Sequence, residues 1–110
     1  LSNVDGIKIC EQQKDVKSNY AYFPVVFEPE ILGTTRDKIA DKLAEHNIFS
    51  RKYFYPLTSD FECCKAKGIT ADVPVAKSIA EKVLTVPCYS DLSCDTVNEI
   101  CDIILSEINQ

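Results

Sequence analysis

At 110 residues, with 45% hydrophobic and 26% charged side chains, the chain has the balance of one globular domain, neither disordered nor long enough for two. Twelve basic and 17 acidic side chains give a net charge of −5, and no stretch clusters Lys and Arg, which excludes the phosphate-binding surface of a nucleic-acid protein. The apolar run Tyr22–Phe27 is interrupted by Pro24 and is too short to cross a bilayer. No charged segment followed by an apolar one opens the chain, so a cytoplasmic location is expected.

The sequence starts at Leu1 and has no Met, and residues 1–18 are polar apart from Ile7-Lys8-Ile9-Cys10. They are read as a connecting segment from a larger chain, with residues 19–110 as the domain proper. Asn19–Glu28, rich in aromatic and β-branched residues, predicts a strand. Pro24 has no N–H to donate, so the strand is expected to have an edge or a bulge there. Gly33 marks a turn, and Thr34 or Thr35 can cap a helix that has Asp37 in its first turn. Ile39, Ala40, Leu43 and Ala44 recur at helical spacing, and His46-Asn47 supplies a helix end. Ile48–Leu57 predicts a second aromatic strand, stopped by Pro56. Thr58–Val73 lacks periodicity and reads as a loop. Pro74 opens a short helix over 74–82 with Val75, Ile79 and Val83 facing the core. Val83–Val86 reads as a buried strand closed by Pro87. Ser93 caps a last helix whose Val97, Ile100, Cys101, Ile104, Leu105 and Ile108 form an apolar stripe. These elements predict an α+β fold: a small, largely antiparallel sheet with helices packed on one face.

Few residues announce chemistry. Three glycines cannot build a phosphate loop. The single histidine, His46, reads as a dipole partner at a helix end. The carboxylates are scattered over helix surfaces. The six cysteines contain no C-x-x-C pair, so no metal site is expected, and reduced structural thiols are the simpler reading. The adjacent pair Cys63-Cys64 stands apart because it falls in a predicted loop.

Ser50-Arg51-Lys52-Tyr53-Phe54-Tyr55-Pro56 is the one informative cluster. Arg51, one of two arginines, could clamp a carboxylate or phosphate, and rings beside it could stack on a sugar or base. The same pattern is also what core-facing aromatics beside a solvated arginine would give, and the residues alone leave both readings open.

NIFSRKYFYPL, followed by PVAKSIAEKVLTVPCYSDLSCDTVNEICDIIL, resembles the C-terminal end of DegT/DnrJ/StrS-type sugar aminotransferases. NYAYFPVVFE and TTRDKIADKLAEHNI match upstream, in the family's order, and RKYFYPLTSDF is most similar to members that aminate keto-deoxy sugars carried on dTDP. The resemblance implies the small domain of a fold-type-I aminotransferase. In such enzymes pyridoxal phosphate is bound to a lysine of a large N-terminal domain, L-glutamate donates the amine, and a nucleotide-linked keto sugar accepts it. It implies the large domain of the same chain and a homodimer as partners. It places Arg51, Tyr53 and Tyr55 near substrate, with the Schiff-base lysine outside this sequence, so that the 110 residues would be neither catalytic nor cofactor-binding alone. Two positions depart from the pattern: Thr58 stands where the family often has His, and Asn47 where it usually has Gly. The alternative is a free-standing ferredoxin-like ligand-binding or regulatory module.

Overall fold

Phe23, Val25 and Phe27 alternate along the chain, which puts all three on one side of an extended segment. In the computed structural model, which describes residues 1–108, that segment is β2 (Phe23–Phe27), the central strand of an antiparallel sheet. It is flanked by β1 (Ile7–Ile9), from the polar N-terminal stretch, and by β3 (Val83–Val86). Ile7 pairs with Phe27 and Ile9 with Val25; on the other side Leu84 pairs with Val25 and Val86 with Phe23. Cross-strand partners share a face, so one face carries Ile7, Ile9, Phe23, Val25, Phe27, Leu84 and Val86. The expected strand is shorter at its start, because the Ser18 and Asn19 side chains accept the N–H groups of Tyr20 and Ala21 and hold a turn.

Pro24 lies where the register tolerates it. Thr85, its partner on β3, spends its own N–H and C=O on Arg51 (2.7 and 2.9 Å), so Pro24 and Thr85 form a pair without hydrogen bonds. The Pro24 nitrogen therefore points toward β1, whose last pair is Ile9 with Val25. The strand has an edge at that position, as expected.

Two helices close the apolar face. Helix α2 (Arg36–Glu45) follows the short helix α1 (Pro29–Leu32) and starts at Thr35, whose side chain accepts from Lys38 N. It ends at His46, with Asn47 in the left-handed region (φ 60°). The last helix, α5 (Cys94–Ile108), starts on Ser93, whose hydroxyl accepts from Thr96 N. Ile39 and Leu43 of α2 meet Ile100, Ile103 and Ile104 of α5 over the sheet in one core. The tight join between β1 and α1 requires glycine: Gly6 has φ 88°, and a Cβ there would lie 2.9 Å from the Leu32 side chain.

Several expectations need correcting. Ala44, Val75, Ile79 and Val97 are exposed rather than core-facing. α4 (Pro74–Lys82) forms as predicted but buries Ala80, because its small side chain lets the helix end lie close to the chain it feeds into β3. The expected loop over Thr58–Val73 contains a 3-10 turn (Thr58–Asp60) and a short helix, α3 (Glu62–Ala66). Gly68 (φ 67°) ends α3, with its N–H bonded to Lys65 O and that of Ile69 to Cys64 O.

The largest departure is Ile48–Leu57, which is not a strand: among the described residues its backbone pairs with the sheet only through the Arg51–Thr85 bridge. The cause is Arg36. Continuing that register would set Tyr53 opposite Val83, but the outward carbonyl of Val83 already accepts from Arg36 Nη1 at 3.0 Å. The same nitrogen donates to Ala80 O in the last turn of α4. That carbonyl is one of the groups a helix end leaves without a partner, at the negative end of the helix dipole. Arg36, only 5% exposed, thus seals the free edge of β3 with a side chain.

On the other face, Glu28 is held by Lys8 (2.8 Å) and Lys82 (2.7 Å), tying β1 to the end of α4. The hydrogen bonds from Lys8 and Lys82 lower its pKa from 4.5 to about 2, and the bond to Glu28 raises that of Lys82.

Replacing Arg36 by Met leaves two buried carbonyls without partners, and each such loss costs roughly 1–3 kcal/mol. Urea unfolding of Arg36→Met is expected to show a loss of about 3 kcal/mol; a loss below about 1 kcal/mol would contradict this role. The depressed Glu28 pKa stabilises the fold above about 4.5, and that contribution disappears as pH falls toward about 2. The melting temperature of Glu28→Gln should therefore lie below that of the parent chain at neutral pH and converge with it in acid. A gap that stayed constant with pH would rule out the ion pairs as its source.

Candidate functional site

The Arg-aromatic segment leaves the sheet at Arg51 and turns at once, Tyr55 N donating to Lys52 O at 2.8 Å. Peptide bonds Tyr53–Phe54 and Tyr55–Pro56 are cis. Freed from strand geometry, the three rings no longer alternate between core and solvent. Tyr53 and Phe54 stack on each other with centroids 4.9 Å apart. Tyr22, at the approach to β2, meets both edge-on at 5.4 and 6.2 Å. Tyr22 and Phe54 are more than half exposed, so this cluster is a surface and not a core.

Arg51 and Tyr53 are brought together: the exposed guanidinium lies over the Tyr53 ring at 5.9 Å. Tyr55 goes elsewhere. Its ring lies against the Arg36 guanidinium at 4.6 Å, and it lines a depression of about 390 Å³ with Leu57, Lys65 and Lys77. Lys52, between the two groups, bonds Asp37 at 2.7 Å, while Arg36 Nε reaches the same carboxylate oxygen at 3.1 Å. The hydrogen bond from Lys52, with Arg36 alongside, holds the Asp37 carboxyl below the ordinary carboxylate range.

Chemically, the surface offers planar rings for stacking and the exposed cation of Arg51. Thr58 begins the 3-10 turn and is exposed, as is His46 at the end of α2. The hydroxyl of Thr85, the residue that bridges to Arg51, is buried without a hydrogen-bond partner among the described residues. No group of three or more His, Cys, Asp or Glu side chains among the described residues is placed to share a metal ion. A lysine that carries pyridoxal phosphate needs an enclosed setting in which its neutral form is favoured. All ten lysines are at least partly exposed in this chain, and the two that are half-buried, Lys42 and Lys82, hold Glu45 and Glu28.

Two residues of this region escape a reading of the segment alone. Tyr22 belongs to the cluster from some thirty positions upstream, signalled only as one of several aromatics before β2. Arg36 was visible as part of a helix start, while its burial against Ala80 and Val83 carries no local signal.

A profile of the DegT/DnrJ/EryC1/StrS aminotransferase family matches residues 1–105. Two curated relatives are both named dTDP-4-amino-4,6-dideoxy-D-glucose transaminase. The one from Shigella dysenteriae is 36% identical over 104 residues, covering 94% of this chain and 28% of its own. The one from Escherichia coli is 37% identical over 110 residues, covering 98% and 29%. The chain thus spans less than a third of the length of these relatives. Among solved structures, DesI in the presence of its TDP-sugar product superposes with a TM-score of 0.87 at 21% identity, over 98% of this chain and 28% of that one. The aminotransferase TlmJ from Streptoalloteichus hindustanus gives 0.81 at 22%, over 99% and 28%. At these identities the likeness is one of fold, and it matches the small antiparallel sheet with helices.

The ring cluster is testable by itself. A double-mutant cycle with Tyr22→Leu and Tyr53→Leu is expected to give a coupling of about 0.5–1.5 kcal/mol in unfolding free energy, the worth of one edge-to-face pair. Strict additivity would mean that the rings do not pack in solution.

Proposed function

The chain belongs to the DegT/DnrJ/EryC1/StrS aminotransferase family, and we propose that it serves as the C-terminal small domain of a nucleotide-sugar aminotransferase. The reaction of the whole protein is transfer of the amino group of L-glutamate to a nucleotide-linked keto-deoxy sugar. The observation that carries this reading is identity of 36–37%, across nearly all of this chain, to two proteins named as transaminases of a dTDP-linked dideoxy sugar. The family match does not favour a free-standing ligand-binding or regulatory module.

In this reading residues 1–18 lead in from a large domain and contribute β1 on the way, and residues 19–110 form the small domain. The large domain of the same chain holds the cofactor on its own lysine, and the whole protein works as a cytoplasmic homodimer. Pyridoxal phosphate, when bound there, supplies the electron sink that amine transfer needs. The residues present here bind and orient. Arg51 offers a two-point cation to a phosphate or carboxylate of the substrate, and the adjacent Tyr53 ring offers a face to a sugar or base. Tyr55, held against Arg36, borders the depression next to it and shapes that side of the substrate channel. Exposed apolar side chains on α4, Val75 and Ile79, provide surface for the large domain to cover.

A chimaera in which this chain replaces the matching C-terminal segment of the Escherichia coli relative tests the reading. It is expected to retain glutamate-dependent amination of the keto-sugar substrate, whereas the 110 residues alone show neither cofactor absorbance nor transfer. In the chimaera, Arg51→Ala should raise KM at least about tenfold with a smaller change in kcat, as expected for loss of a charge-assisted hydrogen bond of roughly 1.5–3 kcal/mol. A chimaera that folds and binds cofactor but shows an unchanged KM on Arg51→Ala would remove Arg51 from the substrate site.

A further inference from the structure

All six cysteines are free, and two of them are neighbours on α3: Cys63, exposed, and Cys64, half-buried. The helix that carries them is short but well ended, since Cys64 O accepts from Lys67 N and Ile69 N, and Lys65 O from Gly68 N. The two cysteines therefore stand on a defined turn, Cys63 exposed and Cys64 half-buried, and not on loose chain. Adjacent Cα atoms are ~3.8 Å apart across a trans peptide. A relaxed disulfide spans roughly 4.4–6.8 Å between Cα atoms, so a direct S–S bond here would distort the turn. One larger atom placed between the sulfurs lengthens the ring and removes that mismatch.

The other thiols are differently disposed. Cys10 and Cys94 are exposed and separate in sequence, and Cys88 and Cys101 are half-buried in an apolar cleft beside Val86 and Leu92. Cys63 and Cys64 alone are adjacent in sequence, and one of them is exposed.

We propose that Cys63 and Cys64 form a dithiol site for trivalent thiophilic centres, of which organoarsenicals of the R–As=O class are the matching ligands. With phenylarsine oxide, both S–H bonds break and two As–S bonds form. The arsenic–oxygen bond is lost, and the oxygen leaves with the two thiol protons as water. Arsenic stays trivalent, so nothing is oxidised or reduced. The first As–S bond makes the second intramolecular, which is the source of the site's advantage over single thiols. Lys65, the next residue of α3, lines the depression that Tyr55 also borders, so an adduct forms next to that part of the surface. The proposal does not depend on the aminotransferase reading.

One equivalent of phenylarsine oxide added to the reduced chain is expected to give a single adduct by intact-protein mass spectrometry. It should resist excess 2-mercaptoethanol and be removed by a 1,2-dithiol. Cys63→Ser and Cys64→Ser should each weaken binding at least about tenfold, the loss of the chelate, while the double variant Cys88→Ser/Cys101→Ser binds like the parent. Far-UV circular dichroism checks that the variants keep the fold. An adduct that a monothiol removes from the parent chain, one that survives Cys63→Ser, or one abolished by Cys88→Ser/Cys101→Ser overturns the proposal, as does the absence of any adduct.

Discussion

A buried guanidinium organises this domain. Arg36 starts α2, yet its Nη1 serves the last turn of α4 and the outer edge of β3, and its face carries Tyr55. A cation costs several kcal/mol to remove from water unless its protons are used. Here the carbonyls of Ala80 and Val83 and the carboxylate of Asp37 use them. Those carbonyls need a donor as much as the arginine needs acceptors, because one ends a helix and the other lies on a sheet edge. Each defect answers the other.

That arrangement decides the shape of the candidate site. With Val83 O occupied, the chain after Arg51 cannot continue along β3 and turns outward, gathering Tyr53 and Phe54 against Tyr22 while Tyr55 packs on Arg36. The residues that a linear motif presents as one group are thereby divided into two neighbouring environments. One is an open aromatic surface with Arg51. The other is a polar depression whose wall is braced from inside the protein. The Asp37 carboxylate joins them, holding Lys52 on one side and Arg36 on the other.

The same packing leaves apolar side chains in solvent. α4 approaches the sheet through Ala80, and Val75 and Ile79 look outward; Val97 does so on α5. Scattered exposed valines and isoleucines are ordinary on a protein surface, but these sit on helices whose periodicity would suit a buried face. On the proposed reading they belong to the contact with the rest of an aminotransferase, of which relatives show more than twice as much chain again.

Local chemistry was legible from the residues themselves. The caps at Thr35 and Ser93, the left-handed Asn47, the opening of α4 at Pro74, the buried Val83–Val86 strand and the stripe of α5 depend on neighbours within a few positions. The family resemblance rests on the same short-range order, and the family match bears it out. What depended on distant partners was not legible. Aromatic and β-branched content marked Ile48–Leu57 as a strand, but a strand also needs a free edge, and Arg36 had already taken it. Which apolar face of α4 turned inward was set by the sheet it meets, and the place of Tyr22 beside Tyr53 by the path of β2. Of the two arginines, the one in the aromatic motif stayed at the surface and the one at the helix start became the buried tie. Spacing along the chain fixes side-chain periodicity and capping; only the tertiary contacts decide which donors and edges remain open to meet.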